Sequence, residues 1–115
     1  MTDITGNWTF NGNGSPGGMS IFAVDGQGNL NVTVSFTDVT RQDAFEGTWN
    51  DSAGQITLIR HLPNNITQTY IGFLGDNHPE IALILAGSFT ESDVPANAAR
   101  TQFGWFAQYT GPIIQ

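Results

Sequence analysis

The chain has 115 residues and a formal net charge of −7, because ten acidic residues outnumber three arginines. This length fits one domain over residues 1–115 with a core of its own. The shortage of basic residues argues against binding to nucleic acid or to an anionic membrane surface, since both depend on cationic side chains. The chain has no cysteine, which excludes disulfides and thiolate metal sites.

The amino-terminal stretch "MTDITGNW" lacks the basic region and the apolar region of a signal peptide. No apolar run in the sequence is long enough to span a bilayer as a helix. We therefore expect a cytoplasmic protein, or a secreted one if a leader has been removed.

The dominant hydrophobic period is two, which is typical of half-buried β-strands. In the stretch "NLNVTVSF", Leu30, Val32, Val34 and Phe36 share one face and polar residues occupy the other. Turn-forming motifs recur about every ten residues, a spacing typical of all-β domains. They delimit eight predicted strands near 6–10, 19–24, 30–37, 44–49, 55–61, 68–74, 80–89 and 101–109, and "DVPANAAR" could form one helical turn before the last of them.

Eight short antiparallel strands joined by short turns favour a closed up-and-down β-barrel, because closure removes exposed sheet edges. A β-sandwich is the alternative. The glycine-rich stretch "NGNGSPGG" after the first strand is predicted to be a long, lid-like loop over one end of the barrel. A barrel of this size is either filled by its own side chains or holds one small ligand.

The late strands are apolar on both faces, as "EIALILAGSF" and "QFGWFAQY" show. A barrel needs only one apolar face per strand. The second face predicts self-association through strands five to eight, as a homodimer or homotetramer. The alternative is a thicker sandwich core.

Several segments resemble the avidin family, whose members are eight-stranded barrels that bind biotin. The similar segments are "GNWTFNGNGS", "DGQGNLNVTVSF", "EGTWNDS", "ILAGSFTES" and "ANAAR". The Gly-x-Trp opening is also found in lipocalins. The resemblance implies the barrel fold, and with one inserted residue it places Asn11 and Ser15 where the family hydrogen-bonds the biotin ureido oxygen.

Other family positions are not matched. The family has a ureido-binding Tyr on strand three, two ligand-stacking Trp on strands five and seven, a Trp before strand eight and an Asp on strand eight. The residues aligned with them here are Val34, Arg60 or His61, Leu83, Ala99 and Ala107. Unpaired polar groups of a ligand cost about 1–3 kcal/mol each, so the resemblance implies that biotin binding is weak or lost.

We predict a non-enzymatic protein that binds a small ligand at the open end of the barrel, with no cofactor and no catalytic residue. For Trp8, the alternative to ligand binding is packing in the core. For Asn11 and Ser15, the alternative is hydrogen bonding of their side chains to the backbone of a turn. The predicted ligand-binding residues are Trp8, Asn11, Ser15, Arg60, Tyr70 and Trp105.

Arg60 shares a face of its strand with Ile56 and Leu58. If this face is inward, the guanidinium needs an acidic partner or an anionic ligand, because a buried charge is unfavourable when unpaired. If the strand ends there, Arg60 reaches solvent instead. The acidic residues considered as partners are Asp43, Glu46 and Glu80.

Two other functions stay open. A carbohydrate-binding, lectin-like module would use Trp49 beside Asn50 and Asp51. A barrel cyclase or isomerase would act in the lumen with Arg60, Glu46 and Tyr70. Asp76, His78 and Glu80 cluster in "GDNHPE", but this turn spacing is common by chance, and no metal site is expected.

Overall fold

In the computed structural model, eight antiparallel strands form a closed barrel in which β8 pairs back to β1. The structure describes residues 4–23, 25–37, 42–75 and 83–113, with residues 42–44 described through their backbone alone. The closed order confirms the predicted eight-stranded, all-β, up-and-down barrel over the sandwich alternative. The strands are β1 (Gly6–Gly12), β2 (Ser15–Ala23), β3 (Asn29–Phe36), β4 (Gln42–Asn50), β5 (Gln55–Leu62), β6 (Ile66–Gly75), β7 (Ile84–Glu91) and β8 (Phe103–Gly111).

Alternation along the strands produces the core. In β3, the four apolar residues predicted to share a face are all buried, while the residues between them are exposed or partly exposed. The other strands contribute inward-facing side chains in the same way, including Phe10, Leu58, Tyr70 and Trp105. The barrel therefore encloses one continuous apolar core.

The first connection is a tight turn, so the prediction of a lid-like loop is wrong. Asn13 and Gly14 have positive φ angles of 50° and 92°. Positive φ at both central residues is the conformation of a two-residue type I′ hairpin, which Asn-Gly favours. Ser15 follows directly as the first residue of β2, opposite Gly12.

Gly17 explains why a glycine-rich stretch lies within a strand. A Cβ atom at this position would overlap the carbonyl oxygen of Ser35 on the neighbouring β3. The residue is glycine because the two backbones approach closely here, and not because the segment needs to move. The amino-acid composition alone does not distinguish a glycine required by a close backbone approach from a glycine in a mobile loop.

The connection from β7 to β8 contains turns in place of the predicted helical turn. The amide of Val94 donates to the carbonyl of Glu91 over 3.2 Å, and the amide of Ala98 donates to the carbonyl of Pro95 over 3.0 Å. A short turn at Pro63–Asn65 joins β5 to β6, and its two asparagines, Asn64 and Asn65, have positive φ angles of 66° and 61°. Within the described ranges, no helix has the length and apolar character needed to cross a membrane.

The up-and-down order gives the barrel two ends. We call the end at which β1, β3, β5 and β7 finish the upper end. We call the opposite end, at which these strands begin and where Ile4 and Thr5 precede β1, the lower end. Both ends carry recesses, which are described below.

The outer wall of β6 to β8 exposes large apolar side chains. Phe73 and Phe106 are 55% and 52% exposed, and Ile71 and Ile84 are about 40% exposed. Ala86 pairs with both phenylalanines across adjacent strands, so these residues form one surface. We call Ile71, Phe73, Ile84, Ala86 and Phe106 the apolar wall.

Candidate functional site

Aromatic rings fill the middle of the barrel lumen. Phe10 stacks on Trp105, with ring centroids 5.6 Å apart and an interplanar angle of 24°. Tyr70 packs edge-on against both rings, and its own ring lies 5.6 Å from that of Phe45. These rings occupy the space in which a lumenal ligand would lie, so the recesses at the two ends are shallow.

Trp105 lies in the lumen wall beside two glycines. The residue is 3% exposed, and its indole N–H donates to the carbonyl oxygen of Ile71 over 3.2 Å. Gly72 and Gly87 lie beside it on β6 and β7, and a Cβ at Gly72 would overlap the indole ring. Trp105 was predicted to bind ligand, and the structure places it in the core beneath the upper end.

Three of the predicted site residues come together in a recess at the upper end. We call it the upper pocket; its volume is about 230 Å³. Ser15, Arg60 and Tyr70 line this pocket. The other lining residues are Gly12, Asn13, Phe36, Gln68 and Phe89.

Arg60 faces inward, on the same side of β5 as Ile56 and Leu58. It is 9% exposed, so the alternative that it reaches solvent is wrong. Its guanidinium carbon lies 5.0 Å from the centroid of the Phe36 ring and 5.8 Å from that of Phe45. Cation–π contacts of this kind offset part of the unfavourable burial of the charge.

A polar network connects Arg60 to an acidic residue. The guanidinium Nη1 donates to the Gln68 amide oxygen over 3.1 Å, and the Tyr70 hydroxyl donates to the same oxygen over 2.6 Å. The Gln68 amide nitrogen donates in turn to a carboxylate oxygen of Glu91 over 2.8 Å. Gln68 therefore accepts two hydrogen bonds through its amide oxygen and donates one, through its amide nitrogen, to a carboxylate on β7.

Neither Gln68 nor Glu91 was predicted as a site residue. Gln68 pairs directly with Arg60 across β5 and β6, and Glu91 pairs with Gln68 across β6 and β7. Finding them from the sequence would have required the exact register of three strands, which short turns alone do not fix.

The expectation that Glu46 serves a buried Arg60 is wrong. Phe45 and Gly47 face inward on β4, so Glu46 points outward. Its side chain is 74% exposed and lies 3.6 Å from His61 Nε2 on the outer surface. This position also removes Glu46 from the lumen, where the cyclase alternative needs it. The Asp43 side chain and residues Asp76, His78 and Glu80 lie outside the described part of the structure.

Asn11 and Trp8 have structural contacts in this fold. The Asn11 carboxamide oxygen accepts a hydrogen bond from the Gly14 amide over 2.9 Å, so it holds the β1–β2 turn. Asn11 lies between inward-facing Phe10 and Gly12 and does not line the upper pocket. Trp8 is buried in the core, and its indole N–H donates to the carbonyl of Ile4 over 3.0 Å.

The lower end carries a larger recess, which we call the lower cleft. Its volume is about 740 Å³, within the range usual for small-molecule sites. Trp49 forms part of its wall, and the indole N–H donates to Asp51 Oδ1 over 3.2 Å. The cleft is lined by Ile4, Thr5, Ala23, Asp25, Gly26, Gln27, Gly28, Asn29, Leu30, Trp49, Asn50, Asp51 and Ser52.

Two positions aligned with biotin-binding residues point into the lumen and are apolar. Val34 and Ala107 are both fully buried. The inward residue that follows Trp8 on β1 is Phe10, not Asn11. The described lumen thus presents apolar groups where the avidin family has polar ones.

Neither a protein-family model nor a curated protein sequence matches this chain. Among the described residues, no group of three His, Asp or Glu side chains is arranged to hold a metal ion. The site is therefore assigned from its geometry.

Proposed function

We propose that this protein binds a small molecule in the upper pocket, through a carboxylate or another anionic group that accepts hydrogen bonds from Arg60. The observation that carries the proposal is the burial of this arginine among phenylalanine rings at the mouth of a filled barrel. Fold stability alone does not favour a charge in this position, because apolar residues of similar size often serve as well or better. A guanidinium is well suited to recognise a carboxylate through two parallel hydrogen bonds.

The polar network supports this assignment. Arg60 and Tyr70 both donate to the Gln68 amide oxygen, so donors already converge on one acceptor. A ligand oxygen near that point would meet the same donors, with the Ser15 hydroxyl at the rim of the pocket. The pocket volume of about 230 Å³ fits a ligand of a few heavy atoms or one end of a longer molecule.

We further propose an avidin-like origin for the barrel, with biotin binding weak or lost. The closed eight-stranded topology and the buried Trp8 on β1 support the relationship. The apolar lumen positions Val34 and Ala107 support the loss, because neither can pair with a ureido group.

Self-association through strands five to eight is also a proposal. The apolar wall exposes two phenylalanines and two isoleucines on three adjacent strands. A patch of this kind is favourable to cover, and a second copy of the same wall is a self-complementary partner.

The binding proposal is tested by titrating the protein with acetate, lactate, benzoate and biotin while recording backbone amide shifts by NMR. We expect saturable shifts near Ser15, Arg60 and Gln68 with at least one carboxylate, and none with biotin at comparable concentration. Arg60→Gln should weaken that binding at least tenfold. The control is Arg100→Gln, which removes an equal charge from an exposed residue that bonds to Asn13 at the pocket rim.

Two results would count against the proposal. One is the absence of saturable shifts with all three small carboxylates. The other is equal weakening of binding by Arg60→Gln and Arg100→Gln. This would mean that the change in overall charge, and not the loss of the buried guanidinium, weakens the binding.

A further inference from the structure

The lower cleft combines an apolar floor with a rim of neutral polar side chains. Ile4 and Leu30 are buried at the floor, and Trp49 is half-buried beside them. Hydroxyl and carboxamide groups dominate the rim, where Thr5, Gln27, Asn29, Asn50 and Ser52 supply both donors and acceptors. This pairing of one aromatic ring with many neutral hydrogen-bonding groups suits a ligand with an apolar face and a hydroxylated edge.

The charges that line the lower cleft argue against an anionic ligand. Among the described residues, its lining contains two carboxylates, Asp25 and Asp51, and no basic side chain. An anionic ligand would therefore be repelled here, in contrast to the upper pocket with its arginine. Both carboxylates also have partners within the protein, since Asp51 accepts from the Trp49 indole and Asp25 from its own turn.

The β2–β3 turn is held in place before any ligand arrives. Asp25 Oδ1 accepts hydrogen bonds from the amides of Gln27 and Asn29 over 2.9 and 3.2 Å, and Oδ2 accepts from the Asn29 carboxamide over 2.7 Å. The Asn29 side chain first, and then the Gln27 amide, hold the pKa of Asp25 below its ordinary value. Preorganised polar groups lose less entropy on binding than mobile ones.

Hydrogen bonds position both the indole and the backbone of Trp49. Its indole N–H donates to Asp51, and its backbone amide donates to the Gly28 carbonyl over 2.7 Å. Gly28 has a φ of +94°, and a Cβ there would overlap the carbonyl oxygen of Trp49, so the β2–β3 turn lies close against the backbone of β4 at this point. A fixed ring provides a platform on which a sugar ring can stack.

We propose that the lower cleft is a binding site for a neutral sugar, separate from the upper pocket. The sugar stacks on the Trp49 indole, while Asn29, Asn50 and Ser52 hydrogen-bond its hydroxyls. The volume of about 740 Å³ accommodates more than one sugar ring. This site does not depend on ligand binding at the upper end, because the aromatic rings of the lumen lie between the two recesses.

The test is an NMR titration of the protein with glucose, galactose, mannose, N-acetylglucosamine, maltose, cellobiose and lactose. We expect saturable amide shifts confined to residues 25–30 and 49–52 with at least one of these sugars. Trp49→Phe keeps an apolar ring in the barrel and should weaken binding at least fivefold, and Trp49→Ala should abolish it. If circular dichroism shows that Trp49→Ala does not fold, the sugar affinity of Trp49→Phe alone is compared with that of the parent protein.

Arg100→Gln is the control, because Arg100 is an exposed residue that bonds to Asn13 at the upper end, and its replacement should leave the affinity for the sugar unchanged. Failure of carboxylate binding with intact sugar binding would overturn only the proposed function. The sugar proposal is overturned if no sugar gives saturable shifts, if the shifts map to the upper pocket, or if choline binds the cleft and the sugars do not.

Discussion

The guanidinium of Arg60 donates to the amide oxygen of Gln68 over 3.1 Å at the upper end of the lumen. The two residues are direct partners across β5 and β6, so the contact follows from the strand register. Through the Gln68 side chain it connects a buried cation to the carboxylate of Glu91.

Replacing Gln68 by Leu should destabilise the protein by about 1–3 kcal/mol, because the buried Arg60 and Tyr70 lose a part-buried acceptor that both now use. Urea denaturation followed by circular dichroism measures the change. The control is Gln108→Leu at an exposed strand position, which should change stability by less than about 0.5 kcal/mol. Equal effects of the two substitutions would show that the network adds no stability.

Gly72→Ala should destabilise the barrel by about 1–3 kcal/mol, because the added methyl overlaps the Trp105 ring. The emission maximum of tryptophan should shift as the indole moves. Gly104→Ala is the matched control on β8, where a Cβ would meet no atom within 4 Å. A silent Gly72→Ala, with unchanged emission and stability, would contradict the packing described for Trp105.

Gly14→Ala should destabilise the first hairpin by about 1–2 kcal/mol, since residue 14 adopts a φ of 92° that costs an L-residue energy. Gly26→Ala provides the comparison, because its Cβ also meets open space and its φ is not positive. Thermal melts of both variants measure the difference. If Gly26→Ala destabilises as much as Gly14→Ala, the effect is not due to the turn conformation.

Asp25 should titrate below its ordinary pKa of 3.8, because the Asn29 side chain and the Gln27 amide stabilise its charged form. A lowered pKa in the folded state means that the contribution to stability is present above the unfolded pKa and is lost as pH falls through the folded one. Carboxyl NMR titration measures the shift directly. Asn29→Ala should raise the pKa of Asp25 towards its ordinary value, and an unchanged pKa would remove Asn29 as the cause.

Phe106→Ser should reduce self-association, because Phe106 is half-exposed and lies beside Ala86 in the apolar wall. Light scattering across a range of protein concentrations gives the mass of the parent and of the variant. Phe22→Ser is the control, since Phe22 is also partly exposed but lies on β2. A parent protein that stays monomeric at all concentrations would refute the proposed association.

The fold could be predicted because its signals are local. The alternation of Leu30, Val32, Val34 and Phe36 indicates one buried face, and regular turn motifs separate the strands. The same alternation places Arg60 on one face with Ile56 and Leu58, but whether that face is inward was left open by the sequence and decided by the structure. The misjudged element was the stretch after Phe10, where Gly17, required by a close backbone approach, and the turn residue Gly14 were taken for parts of a long loop.

The candidate site could be predicted only in part. Ser15, Arg60 and Tyr70 meet in one pocket, whereas Asn11 belongs to a turn, and Trp8 and Trp105 belong to the core. The partners of Arg60 were missed, because Gln68 and Glu91 reach it through the pairing of three strands.

The sequence by itself determined the number of strands, the inward face of clearly alternating strands such as β3, and the acidic, cysteine-free character of the chain. These follow from residue chemistry and from the two-residue period of a strand, which act over a few neighbours. Only the tertiary structure decided that aromatic rings fill the lumen, that Arg60 meets Gln68, and that Trp49 borders a cleft at the opposite end. Closure of the barrel brings together residues distant in sequence, and their contacts depend on register and side-chain volume across all eight strands.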